Sequence, residues 1–275
     1  MQARCVIILF AALSIGVSGC DKPVDPKVKS FIYPLAMGNQ WVYDYQTITD
    51  YRGKKPNDTL TFSIAATVVG VDTILPGIYS YTVDATSTLP EWPTPPPENR
   101  YVNLPDGMYL QSSEIGAGLE LPKQHAGGPA VMFRGRQFRG IQSLIASLVG
   151  PFDMASGGRS AWYDPLPLIL PYPQHLGQRW ACSPPGDDQT LRLDKQITGR
   201  ETAKNSVGSF DCLLIHWIYD PPLEDIDLVD FISAEGLIRR RVEVRNLIMT
   251  DYEHPYGGDT ADVISTYELT SLQLH

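Results

Sequence analysis

The chain has 275 residues, a formal charge of −9 at pH 7 and an apolar fraction of 43%. That is enough for a leader plus one large domain or two small ones, with ample material for a core. The acidic balance argues against nucleic acid, or the charge of an anionic membrane, as the partner of the folded part.

Met1-Gln2-Ala3-Arg4 puts one positive side chain ahead of an apolar run from Cys5 to Val17. A bilayer-spanning helix needs about 20 apolar residues, so this run reads as the core of a signal peptide over residues 1–19. It ends in Val17-Ser18-Gly19-Cys20. That ending resembles the lipobox of bacterial lipoproteins, in which an aliphatic residue and two small ones precede an obligatory cysteine. The resemblance implies cleavage before Cys20, a diacylglyceryl group on its thiol and a further acyl chain on its amine. It also implies a location in the cell envelope, held to a membrane by lipid. Two or more chains anchor stably, each buried methylene contributing about 0.8 kcal/mol. An ordinary secretory signal with a chance cysteine is the competing reading. Residues 20–30, polar and Pro-containing, read as the tether. Asp21 resembles the inner-membrane retention signal of enteric lipoproteins, and the choice of membrane stays open.

Beyond the tether lies a single β domain, 31–275, carrying an apparent duplication. Tyr33, Pro34, Gly38 and Trp41 recur 139 residues later as Tyr172, Pro173, Gly177 and Trp180. Further on the offset is 129, aligning Gly70 with Gly199, Tyr81 with Phe210, Val83 with Cys212 and Gly107 with Gly236. The difference falls on the turn-rich 50–58, which looks inserted in the first copy. The copies span about 31–150 and 172–275. Each opens with an extended Tyr-Pro entry, a glycine turn and an aromatic strand, Trp41, Tyr43 and Tyr45 sharing one face.

Alternating runs predict further strands at 61–69, 78–85 and 100–111, the last turning at Pro105-Asp106-Gly107. Phe138, Ile141, Leu144, Ile145, Leu148 and Val149 recur at helical spacing before Gly150-Pro151, predicting one short helix packed on the sheet. The Pro-rich stretches 89–97 and 165–173 are stiff, so the copies should share one structure. In the second copy, strands are predicted at 190–199, 209–219, 229–233, 237–244, 246–253 and 263–272. The fold class is mainly β: an antiparallel curved sheet or open half-barrel made of two tandem repeats plus that helix.

The opening Tyr33-Pro34-Leu35, Gly38-Asn39, Trp41 and Tyr43 resembles a phrase near the start of many uncharacterised, mostly β bacterial lipoproteins. The resemblance implies a fold class and an address, and no activity.

Cys182 and Cys212 are the thiols left after Cys5 and Cys20, and an oxidising compartment would join them in a disulfide. Two buried free thiols are the alternative. No serine-hydrolase elbow, metalloprotease helix, Cys-x-x-Cys or phosphate loop occurs. His125, His175, His216, His254 and His275 each stand alone. The acidic run Glu224-Asp225-Ile226-Asp227 and Asp230 reads as a solvated loop, lacking the spacing of a calcium site. Arg239-Arg240-Arg241 sits in a predicted strand, so alternate arginines should face opposite sides, meeting either an anion or surface carboxylates. No metal, cofactor or catalytic residue is expected. The reading is a lipid-anchored, non-catalytic binding or carrier module for an apolar ligand, enclosed by the curved sheet. The alternative is a structural or protein-interaction component of the envelope.

Overall fold

The computed structural model describes residues 30–88, 98–113, 130–138, 141, 144–145, 161–162, 166–182, 192–220, 222–250 and 258–275. The expected signal peptide, Cys20, the expected tether up to residue 29, residues 89–97, His125 and His254 lie outside the described residues.

Fifteen strands occur among the described residues: β1 (Gln40–Asp50), β2 (Asp58–Leu75), β3 (Ile78–Ser87), β4 (Glu98–Leu104), β5 (Gly107–Ser113), β6 (Ala130–Phe133), β7 (Arg136–Phe138), β8 (Ala161–Trp162), β9 (Leu168–Pro171), β10 (Arg179–Ala181), β11 (Arg192–Lys204), β12 (Ser209–Asp220), β13 (Ile226–Ser233), β14 (Gly236–Thr250) and β15 (Asp259–Gln273). They form one antiparallel sheet in the order β10-β11-β12-β13-β14-β15-β1-β2-β3-β4-β5, with β8 and β9 on β5 and the β6–β7 hairpin on β14. β9 returns beside β10, where the Trp180 indole donates to the Leu168 carbonyl at 3.2 Å. The sheet is thus nearly closed and barrel-like, further wound than the expected half-barrel.

Neighbouring strands alternate in direction, so the turns at 76–77, 105–106, 205–208 and 234–235 share one end. The starts of β1 and β10 and the finish of β15 lie there too. This is called the lower end below.

The expected aromatic strand is β1. Trp41, Tyr43 and Tyr45 all point inward and are buried, followed by Thr47 and Thr49. The predicted strands 237–244 and 246–253 are one strand, β14, with its register shifted between Val244 and Leu247. Asn246 absorbs the extra residue at φ 57°, a conformation asparagine tolerates because its short side chain bonds locally. Here it accepts from Arg52 at 2.7 Å and donates to Asp225 at 2.7 Å.

Ile141, Leu144 and Ile145 have helical backbone and are buried in a cluster with Val131, Phe133, Trp217 and Val242. Phe138, assigned to the same helix from sequence, instead ends β7. Leu148 and Val149 lie outside the described residues.

The two Tyr-Pro openings make the same bonds. Gly38 N–H donates to Val68 at 2.9 Å and Gly177 N–H to Ile197 at 2.8 Å. Val68 and Ile197 in turn donate to the Asn39 and Gln178 carbonyls, both at 2.9 Å. Gly38 has φ +87° and Gly177 φ +80°, values that favour glycine because it has no Cβ to clash. Of the two Tyr-Pro peptides, Tyr172-Pro173 is cis. Past this point the register corrects the alignment. Val68 pairs with Val83 and Ile197 with Ile215, so Val83 corresponds to Ile215 and not to Cys212. The cause is the second hairpin, whose turn and ribbon are longer. Gly107 and Gly236 do correspond, each closing a two-residue turn onto Leu104 and Ser233 respectively.

Candidate functional site

Inward positions on β11, β13 and β14 read Leu193-x-Lys195-x-Ile197, Leu228-x-Asp230-x-Ile232 and Ile238-x-Arg240-x-Val242. The apolar members belong to two core clusters. Leu193, Leu228 and Val242 lie in the upper one, and Ile197, Ile232 and Ile238 in the lower. The charged members therefore form a polar layer across the barrel's middle. Their relative exposures are 3% for Lys195, 1% for Asp230 and 4% for Arg240. Side chains of these types are almost never this buried unless paired.

Asp230 is fully engaged. The Arg240 guanidinium donates from Nε to Oδ1 at 2.6 Å and from Nη2 to Oδ2 at 3.0 Å, and the Trp217 indole donates to Oδ2 at 2.8 Å. Burial pushes this carboxyl up. The charge and hydrogen bonds of Arg240, with Lys195 and Trp217 adding, outweigh burial and hold it below the ordinary carboxylate value. Lys195 stands differently. Its ammonium sits 4.0 Å from the centre of the Trp217 ring, and among the described residues it makes no ion pair or hydrogen bond. Asp230 and Arg240 cancel, so the layer keeps one positive charge, on Lys195.

That charge lines a partly enclosed space of about 100 Å³. Its walls are mainly apolar and aromatic, with Tyr33, Trp41, Tyr43, Tyr101, Met108 and Leu237 among them. Asn99, Asp230 and Arg240 supply the remaining polar edge. Burial pushes the Tyr33 hydroxyl up to about 12 and raises that of Tyr43 as well, so both rings are neutral at ordinary pH. A larger hollow of about 530 Å³ lies on the outer face between β15, β1 and β2. It is open to solvent and its carboxylates are engaged, Glu268 with Arg239 at 2.9 Å and Asp44 with Ser63 at 2.9 Å. The space beside Lys195 is the stronger candidate, because it couples an apolar wall to a buried cation.

The repeated residues frame this space from below. The Tyr33 N–H donates to the Tyr172 hydroxyl at 2.9 Å, and the Trp41 indole donates to the Glu235 carbonyl at 2.7 Å. The Pro34 carbonyl accepts from Asn39 at 2.6 Å, and Gln174, next to Pro173, accepts from the Phe31 N–H at 3.0 Å.

The acidic run divides. Asp225 and Asp227 stay at the surface, whereas Asp230 is the buried anion, because strand parity turns it inward. Of the three consecutive arginines only Arg240 faces in. Arg239 pairs with Glu268, and Arg241 with Glu243 at 2.8 Å. His216 is half-exposed, 3.8 Å from Asp227, and His175 is exposed. No group of three or more metal-ligating side chains occurs among the described residues. Lys195 had no place in the sequence reading, although an ionisable residue at the inward parity of an apolar strand marks it.

Cys182 and Cys212 are both free and buried, which removes the expected disulfide. Cys182 bonds through its N–H to Leu193, which pairs with Tyr219 of β12, seven residues from Cys212 on that strand. At about 3.3 Å per residue this is roughly 23 Å, far beyond the Cα separation of about 7 Å that a bridge spans. The thiols belong to the upper and lower core clusters respectively.

No protein-family model and no curated protein matches the chain. Three solved structures show some likeness. A protein described as a lipoprotein from Parabacteroides distasonis ATCC 8503 is 13% identical, with a TM-score of 0.37 over 89% of this chain and 99% of its own. An exported protein of YmcC-like fold from Bacteroides fragilis NCTC 9343 is 10% identical, with a TM-score of 0.37 over 88% of this chain and 100% of its own. DynF, from the dynemicin biosynthesis pathway of Micromonospora chersina, is 10% identical with a TM-score of 0.18 over 90% of this chain and 86% of its own.

Proposed function

We propose that the chain is a bacterial lipoprotein, cut before Cys20 and acylated there, and that its barrel is a non-catalytic binding module for a small organic anion. The anchor rests on the order of charge, apolar run and Val17-Ser18-Gly19-Cys20. The matched bonding of the two Tyr-Pro openings supports reading the domain as two tandem copies.

One observation carries the ligand class: Lys195 is buried against a mostly apolar space, its ammonium on the Trp217 ring and outside ion-pair distance of any carboxylate among the described residues. A desolvated cation is costly unless paired, and the face of Trp217 offsets only part of that cost. A carboxylate entering the space would supply the counter-charge while its body meets the aromatic wall. Size narrows the ligand further. Pockets for drug-sized molecules run to about 300–1,000 Å³, so about 100 Å³ suits a compact anion and is too small for a long acyl chain. The expected apolar carrier is thereby narrowed to a short, charged ligand.

The test is a titration of the mature protein with acetate, butyrate and benzoate, each against its neutral amide, read by native mass spectrometry and melting temperature. Saturable binding of a carboxylate, absent for its amide and lost in Lys195→Met, supports the reading. Equal responses to acid and amide, or no response to any acid, refute it. The mass of the peptide beginning at Cys20 tests the anchor separately.

A further inference from the structure

The lower end of the barrel is unusually apolar on its outside. Among the described residues eleven large apolar side chains are exposed, and nine of them lie at this end, all except Ile248 and Ile264. Ile32, at 67%, and Leu75, at 57%, belong to the two segments that contribute most. The first is the chain entering from the tether. The second is the tip of the β2–β3 hairpin. β2 pairs with β1 only up to Thr67, and β3 pairs with β4 only from Ser80. Most of 69–79 therefore bonds only within itself, as a two-stranded ribbon reaching past the sheet. Its only charged side chain, Asp72, is 3.3 Å from Arg100.

The corresponding ribbon of the other copy shows that the fold does not require this. Between 198 and 211 it carries Arg200, Glu201, Lys204 and Asp211, and its Ala203 and Phe210 fold back into the lower core cluster. One ribbon is charged and tucked in; the other is apolar and exposed. Apolar surface gathered at one end of a water-exposed domain marks a contact site.

The tether indicates what covers it. Ser30 enters at the lower end, its hydroxyl donating to Gln174 at 2.9 Å. It lies ten positions after Cys20, a reach of at most about 36 Å. β14, with 15 residues, is about 50 Å long at about 3.3 Å per residue. A lipid on Cys20 therefore keeps the lower end, and not the far end, against the membrane. We infer that this end is a membrane-contact surface and that the β2–β3 tip inserts into the acyl boundary of the bilayer. The contact works through apolar burial, so the acidic balance of the whole chain does not oppose it. The inference rests on the anchor reading for its orientation.

The experiment uses the mature chain made in bacteria and reconstituted in vesicles of phosphatidylethanolamine and phosphatidylglycerol. An environment-sensitive fluorophore is placed on Leu75→Cys, or on Asn57→Cys at the far end. Cys182 and Cys212 are buried and do not compete for label. The result expected is a blue shift and loss of most emission to nitroxide-bearing lipid at 75, with neither at 57. Equal water exposure at both positions overturns the inference, as does crosslinking of 75 to another envelope protein with no lipid quenching. The anchor is scored independently by the mass of the Cys20 peptide. Should that peptide be unacylated, the anchor reading fails, and adding vesicles to the unacylated chain carrying Cys20→Ser, so that only position 75 takes label, decides insertion alone: quenching at 75 supports it and none overturns it.

Discussion

Replacing Lys195 with methionine should stabilise the protein in the absence of ligand, which is unusual for a residue with 3% exposure. The two side chains are similar in length and breadth, so the change removes a charge and leaves packing nearly intact. Exchange of buried ions for well-packed apolar residues is worth up to about 1–4 kcal/mol. Against this stand the lost attraction to Asp230 and the lost contact with Trp217, where the ammonium is 4.0 Å from the ring centre, the latter worth about 0.5–2 kcal/mol. The net gain is about 1–2 kcal/mol. For a domain of this size it raises Tm by about 2–8 °C. Arg240→Met does the opposite, because it leaves Asp230 buried without its guanidinium partner. Breaking such a pair costs about 3–5 kcal/mol, or about 6–20 °C. Calorimetry of the two variants beside the parent, in a buffer free of carboxylate ions, gives the comparison. The reasoning is refuted if Lys195→Met melts as low as Arg240→Met, since Lys195 would then be a working member of the ion pair and not a charge in excess.

Four further outcomes follow from burial and close packing. Stability held by Asp230, and by Asp262 through its hydrogen bonds from Arg52, is present above the unfolded-state carboxyl pKa of about 3.9 and is lost as pH falls through the lower folded values; acid melting curves of Asp230→Asn should be flatter than those of the parent. In the alkaline direction the sign reverses: Tyr33 and Tyr45 are pushed up by burial to about 12, so their contribution is intact below about 10 and disappears as pH rises through the folded values. Burial also pushes the Cys212 thiol up to about 11 and raises Cys182, so Ellman's reagent should leave both untouched in the native protein and count two thiols in the unlipidated domain once it is denatured without reductant. Gly236 has φ +118°, and a Cβ there would lie 2.6 Å from the Trp41 indole nitrogen; Gly236→Ala should cost about 2 kcal/mol or more in urea unfolding.

Legibility in the sequence followed periodicity. Strands with strict alternation, such as β1 and β12, stand close to where the pattern put them, and the Tyr-Pro openings recur as matched turns. The bulge at Asn246 was hidden because a residue held at positive φ resets parity without any composition signal, so one strand read as two. The disulfide read from counting fails on distance, which only register supplies. The acidic run misled for a physical reason: Asp230 shares its composition with Asp225 and Asp227, and only its place between Leu228 and Ile232 turns it inward. Arg240 was half legible, since alternation sent one of three arginines inside without saying which. Lys195 carried the same signal, Leu-x-Lys-x-Ile, with no neighbour to draw attention to it.

The space beside Lys195 sits where the strands behind the two Tyr-Pro openings differ. Lys195 precedes by two residues the Ile197 that bonds to Gln178, and it pairs with Trp217. The matching place in the first half is two residues before the Val68 that bonds to Asn39; there Ala66 pairs with Ala85. Both alanines line the cavity. A cation and an indole at one place thus stand where the other place has two methyl groups, and the opening is what the shorter side chains leave unfilled. Ala85→Leu tests this without touching a charge. Elsewhere in a packed core, enlarging a side chain costs about 1–3 kcal/mol in strain. Here three added carbons meet about 100 Å³ of free space, and at about 0.8 kcal/mol per methylene they contribute about 2 kcal/mol. The variant should melt at or above the parent temperature and lose carboxylate binding, although Lys195 remains. A lower Tm with binding retained would mean that the ligand does not occupy this space, and that the fold tolerates a buried, unpaired lysine for some other reason.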